Sequence, residues 1–434
     1  MSGVLIESLA NGGDGVGHLD DGRAVFVRGG CPGDRVTLSD IDDHGRWLTA
    51  RVESILEPSA DRVEPPCPYF GSCGGCQWQH VSIDVQRAAK QQIVADALKR
   101  IGHLELADDV VRPCVPSPKD LGYRNKVELL ATTRSGRLEL GFNRIASDDL
   151  VPIDRCLLLP TRIADAPKRL SGALRFLSGA GDLGIERVAV RAAQHRSDVE
   201  IALWTPPSAF PRNVAGPMLE KGLGATSIVR VLSEERRASR RPKVEVLAGA
   251  GFWRERLGPY LYSVSATSFF QVNTAAAEKL VEIVLEMLDP DGTDSVADVY
   301  SGAGTFTLPI AELAGMVTAV EESGSAIRDL RRNLEAAQLD ADIQPGDAER
   351  VMMDAGRFDL ALVDPPRAGL SQGTLRALVN SSPRRIAYVS CDPATLARDA
   401  RALGEAGYRL ASVIPVDLFP QTFHVETVAQ FLRA

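Results

Sequence analysis

Nowhere in its 434 residues does the chain hold an apolar run approaching the roughly 20 residues that span a bilayer. Its start, MSGVLIESLANGGDG, lacks the basic residues and the long apolar stretch of a secretory leader. These two absences point away from a membrane and toward the cytoplasm. There is no internal repeat and no low-complexity tail, which sets aside repeat arrays and biased linkers. Cysteine is sparse: the seven residues are an odd number and form no spread disulfide framework. In a reducing compartment such thiols bind metal or do chemistry. A global basic excess is also missing, since the net charge is −8.

That average hides structure. Residues 1–66 carry 6 Lys and Arg against 12 Asp and Glu, and residues 290–434 carry 13 against 20. Residues 67–289 carry 30 against 25, with basic clusters in SEERRASRRPK (233–243) and across 112–146. Such a zone is compatible with phosphate binding, and equally with a solvated surface loop.

The length predicts roughly two to four domains. Residues 1–58 read as short strands between glycine-rich turns, the pattern of a small barrel of the OB kind. EPSADRVEPPC is a proline-interrupted linker. A helix is expected over SIDVQRAAKQQIVADALKRIG, with Ser82 as its cap and Gly102 at its end. Residues 67–265 form a central, β-rich unit. From about 266 to 434 strands and helices alternate, which predicts a mostly parallel α/β sheet of the Rossmann-like kind. Nothing in the sequence demands more than a monomer.

Four segments of this last unit carry chemistry. DVYSGAGTF (298–306) feeds a strand through a glycine turn into a helix, and Glu321 ends the next strand, where an acid can bond both hydroxyls of a ribose. The third glycine of a dinucleotide loop is missing, so a nucleoside with an amino-acid tail fits better, which is S-adenosylmethionine. VDPPR (363–367) fixes a strand end and points Asp364 into the crevice; the bland reading is a rigid turn. SCDPATLARD (390–399) sets Cys391 before a helix N-terminus, where a depressed thiol pKa is expected, against the alternative of an inert core thiol. In FPQTFHVETV (419–428), His424 and Glu426 alternate on an extended run, and either could be a base. Thiolate, carboxylate base and a methyl donor together suit uracil C5. Addition of the thiolate to C6 makes C5 enolate-like, C5 takes the methyl group, and loss of the C5 proton expels the thiolate.

At these residues the chain resembles the RNA 5-methyluridine methyltransferases. FFQVN (269–273), DVYSGAGTF, VDPPRAG, SCDPATLARD and FPQTFHVETV stand in that family's order. CPYFGSCGGCQWQH (67–80), YRNK (123–126) and the N-terminal barrel resemble its branch with a TRAM domain and an iron–sulfur cluster, typified by ribosomal-RNA enzymes. The resemblance implies a class I methyltransferase acting on 23S ribosomal RNA, with transfer RNA the alternative. It implies Cys391 as nucleophile and Glu426 as base. It also implies S-adenosylmethionine contacts from Gln271, Tyr300, Thr305, Glu321, Asp347 and Asp364, the last also serving the uracil. Ser301 and Asp392 depart from the family's usual cysteine and asparagine, and Asp392 sets a negative charge beside the thiol.

The triplet Cys67, Cys73 and Cys76, spaced C-x5-C-x2-C, needs a fourth ligand, and Cys114 and Cys156 compete for the place. Spacing leaves zinc and an iron–sulfur cluster open. The resemblance selects Cys156 and a four-iron, four-sulfur (4Fe-4S) cluster that staples the central unit; Cys31 and Cys114 stay unassigned. Two other readings compete. One is a radical enzyme, whose C-x3-C-x2-C triplet this spacing does not match. The other is an RNA-binding or chaperone protein with a vestigial site.

Overall fold

The computed structural model describes residues 3–134, 137–179, 182–233 and 243–434. Apart from its end residues Ser233 and Lys243, the basic stretch 233–243 lies outside them.

Five strands, Val4–Leu9, Gly15–His18, Ala24–Arg28, Arg35–Asp43 and Trp47–Glu57, close into a barrel in the order first, second, third, fifth, fourth. Alternation decides which side chains point inward: Val25 and Val27 are buried with Ile6, Val36, Leu48 and Ala50. The linker is fastened rather than loose. Arg62 pairs with the buried carboxylate of Asp34 at 2.6 Å and donates to Gly29 O at 2.6 Å.

Helix Ile83–Arg100 follows the cysteine segment. Ser82 stands at its N-cap position but does not cap; its hydroxyl donates to Asp61 at 3.0 Å instead. Val94 and Leu98 share a core with Leu396, Ala397 and Leu403 of helix Pro393–Glu405. The helix therefore packs on the C-terminal unit, not on the central one in which its position in the chain places it. Polar Gln86 and Lys90 are also buried on its inner face.

The central unit is a seven-stranded sheet, antiparallel except where Val199–Thr205 runs parallel to Ser227–Leu232. Helices Ala166–Ser178 and Arg212–Leu223 cover one face through Leu170, Leu174, Leu219 and Leu223. The hairpin Trp253–Leu257 and Tyr260–Val264 leaves this sheet. Its Trp253, Tyr262 and Val264 lie in one core with Leu280, Val284 and Val296, so the C-terminal unit begins before residue 266.

That unit holds a second seven-stranded sheet. In spatial order it runs Asp342–Pro345, Met316–Glu321, Ser295–Val299, Leu360–Val363, Arg385–Ser390, Glu426–Arg433 and Tyr408–Val416. The first five strands are parallel; Glu426–Arg433 runs antiparallel to both its neighbours, so the edge strand Tyr408–Val416 runs with the first five. The chain leaves Ser295–Val299 toward one edge and returns on its other side at Leu360–Val363. Ligands of such sheets bind at this switch point, outside the carboxyl ends of the strands. No helix among the described residues is long and apolar enough to cross a membrane.

Candidate active site

At the switch point the chain turns sharply. Tyr300 has φ +70°, Gly302 +57° and Gly304 +94°. The N–H groups of Tyr300 and Ser301 both donate to Val320 O at 3.0 Å, which pins the loop to the neighbouring strand. A Cβ on Gly304 would sit 2.7 Å from methyls of Leu308 and Leu330, so this position needs glycine for space as well as for φ. Glu321, at the end of that neighbour, accepts from Gly302 N at 2.8 Å and Ser323 N at 2.6 Å.

Asp364 follows Leu360–Val363, and burial pushes its carboxyl up to about 7, helped by the charge of Asp298. Cys391 follows Arg385–Ser390. Its thiol is not acidified, contrary to the expectation from the helix dipole: burial pushes it up to about 11, with Glu426 and Asp364 adding to the effect. The helix N–H groups that would favour a thiolate are taken by Asp392, whose carboxylate accepts from Ala394 N at 2.9 Å and Thr395 N at 3.0 Å. One cation opposes the rise. Arg367 lies against the thiol, and its guanidinium also donates to His424 Nδ1 at 3.3 Å. Burial and Arg367 hold His424 down to about 4, so its ring is neutral at pH 7. Glu426 opens the strand Glu426–Arg433 and is buried; desolvation and Asp364 hold its carboxyl well above the usual range.

One cavity of about 910 Å³ brings Gln271, Tyr300, Glu321, Asp364, Cys391 and Glu426 onto a common wall. Thr305 and Asp347 are not on it. The carbonyl of Thr305 accepts from Tyr262 at 3.3 Å, and Asp347 caps helix Ala348–Asp354 by accepting from Arg350 N at 3.2 Å. Five lining cations were not singled out from the sequence: Arg124, Lys126, Arg155, Arg191 and Arg367. Arg367 ends VDPPR and Lys126 ends YRNK, so both stood inside motifs already in view.

Cys67, Cys73, Cys76 and Cys156 line the same cavity. The triplet loop is pinned by Gly74 N to Asn143 O at 2.9 Å, and Cys156 N donates to Ala164 O at 2.9 Å. Burial raises Cys73 to about 11 and Cys76 to about 12, and the other cysteines add to both. Four cysteine side chains on one wall are a donor set that suits a cationic centre able to displace their protons. Among the described residues, no three ligating side chains are gathered as a site for one metal ion. Cys114 lies elsewhere, beside Lys90 and Asp417, and Cys31 is buried with Leu9 and Trp78.

Three family models match the chain: TRAM domain over residues 3–53, methyltransferase small domain over 275–387, and tRNA (uracil-5-)-methyltransferase over 348–433. The strand order, glycine turn and acidic strand end define a class I S-adenosylmethionine-dependent methyltransferase fold, carried behind an N-terminal TRAM barrel. An uncharacterized RNA methyltransferase of Halalkalibacterium halodurans is 34% identical over 98% of this chain and 95% of its own, and one of Thermosynechococcus vestitus is 33% identical over 98% and 96%. The crystal structure of Pyrococcus abyssi tRNA (uracil-54, C5)-methyltransferase with S-adenosyl-L-homocysteine superposes over 100% of both chains, with a TM-score of 0.77 and 27% identity. The chain belongs to the RNA uracil-5 methyltransferase family.

Proposed function

We propose that the protein methylates C5 of a uridine in RNA, with Cys391 as nucleophile and Glu426 as base. The observation that carries this is the meeting of Cys391, Glu426 and Asp364 on one cavity wall with the glycine turn and Glu321. S-adenosylmethionine, when bound, supplies a methyl group on a sulfonium. Gln271, Tyr300, Glu321 and Asp364 hold it, and Glu321 takes the ribose hydroxyls. In this reading Asp364 also bonds the uracil.

Cys391, having lost its proton to solvent, bonds to C6 of the uracil. The C5–C6 π pair moves to C5, which bonds to the methyl carbon as that carbon's bond to the sulfonium sulfur breaks and leaves its pair on sulfur as a neutral thioether. Glu426 then takes the C5 proton, the C5–C6 double bond returns, and the C6–sulfur bond breaks with its electrons on Cys391. Arg367 stabilises the thiolate at both ends of the cycle. Among side chains the mechanism uses, it is the cation placed against the sulfur.

Cys67, Cys73, Cys76 and Cys156 would hold a four-iron, four-sulfur cluster. Its contribution is a covalent staple on the cavity wall, because methyl transfer moves no net electrons. The combination of TRAM barrel and cysteine site favours large-subunit ribosomal RNA as substrate. The whole-chain likeness to the Pyrococcus abyssi tRNA enzyme favours the second reading, transfer RNA. The deciding experiment offers labelled S-adenosylmethionine with unmodified transcripts of both RNAs. Label should enter 5-methyluridine of one transcript with the wild-type protein and of neither with Cys391→Ala; undiminished transfer by that variant would remove the mechanism.

A further inference from the structure

The turn that delivers Glu426 is held from outside as well as by Thr422, which donates to Phe419 O and accepts from His424 N. It runs from Asp417 to His424, between Tyr408–Val416 and Glu426–Arg433. Its first half is fixed by Lys90, which pairs with Asp417 and donates to Phe419 O at 3.0 Å, and by Tyr123, whose hydroxyl donates to Pro420 O at 3.0 Å. Its apex is Gln421, with φ +71°, a left-handed backbone that a side chain with a Cβ disfavours. Such a conformation persists only where the surroundings over-determine it.

What determines it is the buried amide of Gln86. Its Oε1 accepts from Gln421 N at 2.9 Å. Its Nε2 donates to Gln421 Oε1 at 3.1 Å, Trp78 O at 3.0 Å and Val81 O at 2.9 Å. Gln77 N and Trp78 N in turn donate to Gln421 O at 3.1 and 3.0 Å. One side chain from helix Ile83–Arg100 thus binds the apex of the base-bearing turn to the segment directly after Cys76.

We propose that Gln86 is a positioning residue for proton removal from C5, a role that rests on Glu426 being the base. Without the amide, Gln421 N–H and the carbonyl of Val81 lose this partner, the carbonyl of Trp78 keeps Val81 N–H, and Gln421 relaxes toward an ordinary φ. Glu426, a few residues on, moves with it. Cys391 and Asp364 come from other strands, and Gln86 bonds to neither, so nucleophile and cofactor wall keep their places. Loss of Gln86 therefore slows the base step selectively, and a misplacement of about 1 Å costs on the order of 10²-fold.

The test uses the full chain and ribosomal and transfer RNA transcripts made with either uridine or 5-fluorouridine. Fluorine on C5 cannot leave as a proton, so the fluorinated RNA reports addition and methyl transfer alone, as a covalent protein–RNA band. Gln86→Leu should form that band within about twofold of the wild-type rate, while its turnover on uridine RNA falls by roughly 10- to 100-fold. The covalent band should now also accumulate on ordinary uridine RNA. Gln86→Glu, which can still accept from Gln421 N–H, should recover part of the turnover. Equal slowing of both reactions, or unaltered turnover, would overturn the proposal. Should melting show Gln86→Leu unfolded, Gln421→Val replaces it: a β-branched side chain disfavours the left-handed backbone and loses the amide pair. The same selective loss is expected, and unaltered turnover again overturns the role. A wild-type protein that gives neither methyl transfer nor a band with 5-fluorouridine RNA would fail earlier, at the function itself, and remove the ground the proposal stands on.

Discussion

Gly302 N–H donates to the Glu321 carboxylate at 2.8 Å across a sequence separation of 19. The glycine turn and the acidic strand end are thus one object, tied before any ligand arrives. With one oxygen on Gly302 and the other on Ser323, the carboxylate is fixed in orientation on the cavity wall, with acceptor capacity left over. Glu321→Gln removes the charge and one acceptor. Hydrogen bonds to a charged group are worth about 1.5–3 kcal/mol, so affinity for S-adenosylhomocysteine should fall roughly 10- to 100-fold. Titration calorimetry checks this, and an unchanged affinity would detach Glu321 from the cofactor.

Arg367 has to do what the helix dipole does not. Its guanidinium is the group that draws the Cys391 thiol down against burial, Glu426 and Asp364. Arg367→Met should push the thiol still higher and cut kcat by about 10²–10³-fold, the scale of losing one electrostatic donor in a dry site. The rate at which iodoacetamide alkylates Cys391, followed by mass spectrometry against pH, separates this from a folding defect. Wild type should show its inflection near the alkaline end of the accessible range, and Arg367→Met should show none below it. Coincident profiles would relieve Arg367 of the role.

Three buried acids share the strand ends. Burial raises Asp298 and Asp364 to about 7 and lifts Glu426 well above its ordinary value. Asp298 keeps one oxygen on Thr307 at 2.5 Å, while its other is buried without a hydrogen-bond partner among the described residues. A carboxyl whose folded pKa is raised binds its proton more tightly folded than unfolded. It adds nothing against folding at low pH and costs stability as pH rises from its unfolded value toward and past 7. The melting temperature of the ligand-free protein should therefore fall by roughly a few degrees between pH 5 and 8. Asp298→Asn should show a shallower fall. A stability that climbs with pH over that range, equally in both proteins, would contradict the assignment.

Much of this was legible because each local signal agreed with the fold. The glycine turn, VDPP and SCDP all stand at strand ends, and a parallel sheet gathers strand ends into one crevice whatever lies between them. What could not be read depended on partners distant in the chain. Helix Arg212–Leu223 contains Pro217, which reads as a breaker, and only its packing on the central sheet outweighs that. In helix Ile83–Arg100, Gln86 and Lys90 look solvent-facing until Gln421 and Asp417 are seen against them. The thiol pKa of Cys391 went the other way because a dipole argument counts one neighbour, whereas burial and two carboxyls from other strands set the value.

The cysteine site is a test of whether the wall and the turn are one device. Cys156 comes from a segment between strand Leu150–Val151–Pro152 and helix Ala166–Ser178, far along the chain from the triplet, yet it lines the same cavity. A centre bound to all four thiols would close a long loop, and a closed loop loses less entropy on folding. Cys156→Ser should therefore lower bound iron per chain and the visible thiolate–iron absorbance, and should lower the melting temperature. Cys114→Ser is the control, because Cys114 lies beside Asp417 and not on this wall, and it should leave iron unchanged. Cys76 directly precedes Gln77 and Trp78, whose N–H groups hold Gln421. Loss of iron should accordingly speed hydrogen exchange at 418–424 while sparing the glycine turn at 300–305. Full iron in Cys156→Ser would remove it as the fourth ligand. Iron lost with unchanged exchange at 418–424 would leave the staple separate from the turn.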